Sequence, residues 1–66
     1  MYFTEIEKFR TAINYYRITQ CVINMEHNMV LVSDNYGDRY QVSLSQLSDE
    51  DRKTIDFYMS EFGEYE

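Results

Sequence analysis

Tyr2, Phe3, Ile6, Phe9, Ile13 and Tyr16 recur at helical spacing along one stripe, while Glu7, Lys8, Thr11 and Asn14 fall elsewhere on the wheel. Just ahead of this run, Thr4-Glu5-Ile6-Glu7 matches a capping box, in which the Thr4 hydroxyl accepts from the amide three residues on and Glu7 reaches back to the Thr4 amide. The pattern predicts an amphipathic helix of about three turns, a common length in globular proteins. With an acidic start and few basic residues it suits a lid over a sheet better than a membrane surface.

From Tyr16 the pattern changes. Ile18, Thr19, Val22 and Ile23 bring β-branched residues that favour a strand, which is expected to end at Asn24 or Met25. Glu26-His27-Asn28 is polar, and its asparagine tolerates left-handed backbone, so a tight turn there sets Met29 to Ser33 antiparallel to the first strand. The Asp34-Asn35-Tyr36-Gly37-Asp38 tip, with Gly37 able to take positive φ, returns the chain as a third strand from Arg39 to Leu44. Alternation puts Tyr40, Val42 and Leu44 on the buried face and Arg39, Gln41 and Ser43 on the wet one.

Ser48 followed by Asp49, Glu50 and Asp51 signals a second helix: a hydroxyl N-cap, then carboxylates where the helix dipole favours negative charge. Leu47 is placed to pack back onto the sheet. Ile55, Tyr58, Met59 and Phe62 form the apolar stripe, Gly63 is placed to end the helix, and Phe57 falls outside the stripe. Glu64-Tyr65-Glu66 reads as a frayed acidic tail.

The chain has 66 residues, 44% of them hydrophobic and 17% aromatic, which predicts one domain over residues 1–66 near the lower size limit for a core without metals or disulfides. The single Cys21 excludes an internal disulfide and makes the cytoplasm the default compartment. No apolar run approaches the length of a membrane span, and Met1-Tyr2-Phe3-Thr4-Glu5 lacks the pattern of a signal peptide, so the chain is expected to be complete as written. A net charge of −6 argues against direct nucleic-acid binding and favours a protein partner with a basic surface.

Val30-x-Val32, four residues to Gly37, four more to Val42, then Leu44, Leu47-Ser48, Asp51 and Ile55, resemble without a gap the core pattern of the first SLA homology domain, a small SH3-like β module. The likeness covers Ile18 to Phe62. It implies a curled SH3-like sheet and, by family, the binding of short peptide motifs. This chain has Ser43 where the family pattern has proline, and an amphipathic helix in place of its Trp-containing N-terminal strand, so no binding residue is carried over.

Catalytic chemistry finds little support. His27 has only Glu26 and, across the strand, Cys21 near it, short of the ligands that zinc requires, so neither a metal nor a cofactor is expected. Cys21, mid-strand, reads as a small apolar residue. Ser43, Ser45 and Ser48 sit in no nucleophile elbow, and Gly37 and Gly63 cannot form a phosphate-binding loop.

Tyr15, Tyr36, Phe57 and Tyr65 lie off the core stripes, and aromatic side chains are common binding anchors. Acids concentrate in the last third of the chain. The sequence thus predicts an α+β domain of helix, three-stranded antiparallel SH3-like sheet and C-terminal helix, a non-enzymatic monomer or homodimer that blocks or recruits a partner. The candidate contacts are Tyr36 and Phe57 as anchors with Asp49, Glu50, Asp56 and Glu61 as an acidic rim. The alternative is a DNA mimic, of the kind encoded by phages, whose carboxylates occupy the basic cleft of a host nucleic-acid enzyme.

Overall fold

The computed structural model describes residues Phe3–Glu66; Met1 and Tyr2, the latter assigned above to the first apolar stripe, lie outside the described residues. Helix α1 spans Glu5–Tyr15 and starts as its capping box dictates, with the Glu7 amide donating to Thr4 Oγ1 at 3.3 Å and the Thr4 amide to Glu7 Oε1 at 3.1 Å. Its stripe buries Phe9, Ala12 and Ile13. Tyr16 departs from that stripe: the backbone is already extended there, and the side chain remains 42% exposed.

Strands β1 (Ile18–Asn24), β2 (Met29–Asp34) and β3 (Arg39–Ser43) form an antiparallel meander. Asn28 at φ 55° and Gly37 at φ 89° supply the left-handed residues the two turns need. The alternation of β1 breaks after Ile18, where a bulge between Ile18 and Gln20 keeps Ile18, Cys21 and Ile23 all on the buried face. Leu44, expected as the last residue of the third strand, instead opens a short 3₁₀ turn (Leu44–Gln46) capped by Ser43, and it still reaches the core.

Helix α2 covers Asp49–Phe62 with Ser48 as N-cap. The C-terminal residues depart from expectation: Glu64–Tyr65 form a short fourth strand, β4, parallel to β1 at Val22 and Ile23, and the Glu66 amide donates to the Ile23 carbonyl at 2.9 Å. The result is an open mixed sheet in the order β3-β2-β1-β4 rather than three antiparallel strands alone. Gly63 permits this path through its lack of a side chain, since its backbone is extended and a Cβ there would collide with the backbone and thioether of Met59.

Both helices lie on one face of the sheet, α1 over β3 and β2, α2 over β1. Between them, Phe9, Ile13, Cys21, Ile23, Val30, Val32 and Ile55 are essentially fully buried. Two polar links tie the helices together. The Arg10 guanidinium donates through Nε to Asp51 Oδ2 at 2.9 Å, and the Tyr58 hydroxyl donates to the Ile13 carbonyl at 2.7 Å.

Candidate functional site

Four of the six candidate residues lie on the exposed surface of α2 without a charged partner among the described residues: Asp49, Glu50, Phe57 and Glu61. A helix turns through about 100° per residue, so Glu50, Thr54, Phe57 and Glu61, at spacings i, i+4, i+7 and i+11, share one flank. Asp49 and Asp56 fall on the outer side, away from Phe57, and Asp56 accepts from Arg52 Nε at 3.4 Å.

Phe57 is 58% exposed, and its ring meets Tyr58 at 5.7 Å between centroids; Tyr58 in turn meets Phe62 at 5.9 Å. These three rings make a continuous apolar run in which Tyr58 is the fixed point. Burial of Tyr58, with a smaller effect of the nearby Cys21, raises its phenol above the ordinary value, so it remains a neutral donor to Ile13. Phe62, expected inside on the apolar stripe, is 40% exposed, although Met59 in the same turn packs against the core. Glu50 and Glu61 flank this run, so the C-terminal helix carries an aromatic centre with an acidic border.

Tyr36 belongs elsewhere. It stands at the β2–β3 tip, 78% exposed, with its ring edge-on to Tyr16 at 6.2 Å and 84°. The four main grooves are lined by neither Tyr36 nor Phe57. Beside Tyr16, a groove of about 300 Å³ runs between α1 and β3, lined by Phe3, Lys8, Thr11, Tyr16 and Tyr40. The pairing of Tyr16 with Tyr36 could not be read from sequence, because it depends on the chain leaving helical geometry at Tyr16.

Two acids, Asp34 and Asp51, are committed inside the molecule. Asp34 is buried: Oδ1 accepts from the Tyr36 and Asp38 amides at 2.8 and 3.0 Å, and Oδ2 from the Tyr40 hydroxyl at 2.9 Å. Burial works to raise its pKa, but hydrogen bonds from Tyr40, Asp38, Tyr36 and Gly37 together outweigh it and hold the carboxyl below its usual value. Burial, followed by this contact with Asp34, pushes the Tyr40 phenol up to about 12. Asp51 is buried against Arg10 and also closes the α2 capping box.

Cys21 is fully buried, and desolvation pushes its thiol up to about 11, so it is not a thiolate at neutral pH. Among the described residues no three His, Cys, Asp or Glu side chains are grouped to hold a metal ion, and no helix is long and apolar enough to cross a membrane. No family model, curated protein or solved structure matches the chain.

Proposed function

We propose that this protein is a non-enzymatic interaction module that docks the Phe57-Tyr58-Phe62 run onto a protein partner, with Glu50 and Glu61 facing basic residues around the contact. The observation that carries this reading is the arrangement on α2: an exposed aromatic residue backed by a hydrogen-bonded tyrosine and bordered by two carboxylates. Aromatic anchors supply area at low entropic cost, and rim charges contribute orientation and rate more than affinity. A cytoplasmic location is part of the same proposal, supported by the lone buried Cys21, which suits a reducing setting. The resemblance to the first SLA homology domain agrees with a binding role and with an SH3-like curl of β1 to β3; the α2 surface, however, is argued from its own residues.

The test is capture of partners from a cell lysate by the wild-type protein, Phe57→Ala and Glu50→Gln/Glu61→Gln, washed in parallel at low and high salt. The proposal predicts a protein retained through the high-salt wash, lost with Phe57→Ala and weakened only at low salt by the double charge variant. A nucleic-acid enzyme released at high salt and insensitive to Phe57→Ala would replace this reading with acidic mimicry, and Asp49→Asn with Glu50→Gln would then be the decisive variant.

A further inference from the structure

Strand β3 is an edge of the sheet, and its backbone pattern identifies which groups it leaves open. Asp34 N donates to Asp38 O at 2.9 Å and Leu44 N to Asn28 O at 2.9 Å, one at each end of the β2–β3 ladder. Directly opposed pairs in an antiparallel ladder alternate between bonded and non-bonded, so Tyr40 and Val42 bond inward to β2. Arg39, Gln41 and Ser43 therefore direct their N–H and C=O groups outward. Ser43 is already engaged, its amide by the Gln46 side chain at 3.2 Å and its carbonyl as first acceptor of the 3₁₀ turn, so the groups left open are those of Arg39 and Gln41. The strand has no proline and no bulge to protect it.

Charge selects the occupant. The protein carries a net charge of −6, and two copies repel each other over most of their surfaces, yet residues 39–48 contain no acid at all. The adjoining α1–β3 groove contains none either; its single charged lining residue is Lys8. This is the side on which a second copy can approach without carboxylates opposing each other.

We propose that β3 pairs antiparallel with β3 of a second copy, about a two-fold axis at Gln41. In that register Gln41 faces Gln41 of the other copy and Arg39 faces its Ser43, so no like charges meet. The Gln41 amide and carbonyl exchange two hydrogen bonds with those of the other copy. Gln41 side chains, exposed on the open face, form a self-complementary amide pair. The half-exposed Phe3 and Tyr16 beside the strand add apolar area. A contact this small lies below the standard interface size and gives a weak dimer, with a Kd of roughly 100 μM.

Sedimentation velocity and light scattering on the full chain, from about 10 μM to about 1 mM, test this against the 8.0 kDa monomer. The expected result is a mass that rises toward twice the monomer value with concentration. Gln41→Pro removes only an outward N–H, so the ladder to β2 survives; it should weaken association by at least about tenfold at unchanged circular dichroism. Gln41→Lys, which sets like charges face to face and is well tolerated on an exposed edge, should do the same if the proline variant fails to fold. Phe57→Ala should leave the dimer intact, which separates this edge from the α2 surface. A monomer at all concentrations, dimers unaffected by the Gln41 variants, or dimers lost with Phe57→Ala would each overturn the proposal.

Discussion

Removing Arg10 should cost more stability than removing Asp51, although the two share one bond. The side chain of Asp51 is 5% exposed and that of Arg10 45%. Exposed ion pairs are worth about 0.2–1 kcal/mol, whereas breaking a buried one costs about 3–5 kcal/mol because a charge is left unpaired and dry. In Arg10→Ala the stranded group is the buried Asp51 carboxylate, left with the Ser48 amide at 3.3 Å. This predicts a loss of about 2–3 kcal/mol, between those limits. In Asp51→Ala the stranded group is a guanidinium that can rehydrate, and the further loss is one reciprocal capping bond, for a total of about 1–2 kcal/mol. The double variant should fall short of the sum by about 1–2 kcal/mol. Urea unfolding followed by circular dichroism measures all three, with Arg10→Met as a control for the packing of the aliphatic stem. In a domain this small, each kcal/mol moves Tm by roughly 4–8 °C. Equal single losses, or a coupling within about 0.5 kcal/mol of zero, would refute the picture of a buried carboxylate held by a half-exposed cation.

Three further outcomes follow from other sites. The Asp34 carboxyl is held below its ordinary value of 3.8, so its contribution to stability is present above that pH and is lost as the pH falls through the lower folded value; Asp34→Asn should flatten the acid limb of a Tm-against-pH profile, and an unchanged limb would assign acid unfolding to other groups. Gly63→Ala should destabilise by about 1–3 kcal/mol through overpacking against Met59; hydrogen exchange should show the Glu66 amide, bonded to Ile23, losing protection first. Cys21 should resist thiol reagents in the native state and react at the unfolding rate in urea, given its burial and a thiol pushed up to about 11; rapid native labelling would contradict that burial.

The elements signalled by local chemistry were legible in the sequence. Thr4 with Glu7 and Ser48 with the acids behind it mark helix starts because capping is satisfied within one turn of chain. Asn28 and Gly37 mark turns because few other residues take positive φ cheaply. Strand β4 was not legible: Glu64 and Tyr65 have no strand pattern, and their pairing depends on β1 offering an open edge where the chain leaves α2. The burial of Asp34 was hidden for a similar reason, since an acid opening a polar tip reads as solvated until Tyr40 is brought across from the next strand.

On the candidate site, helical spacing alone put Phe57 outside the core. Its partners required the third dimension. Phe62 had the right periodicity for burial but is 40% exposed as the last residue of α2, and Tyr58 becomes a fixed support only because its hydroxyl reaches the end of α1. Tyr36, grouped with Phe57 by exposure, pairs with Tyr16 instead. Sequence pattern ranks residues by exposure and cannot say which exposed residues are neighbours.

The most direct test of the central claim is a calorimetric titration of the captured partner with wild-type protein and Phe57→Ala, at low and high salt. The account predicts that Phe57→Ala weakens binding by at least tenfold, about 1.4 kcal/mol, at both salt concentrations. An affinity unchanged by Phe57→Ala but falling steeply with salt would contradict it and transfer the binding site to the carboxylates of α2.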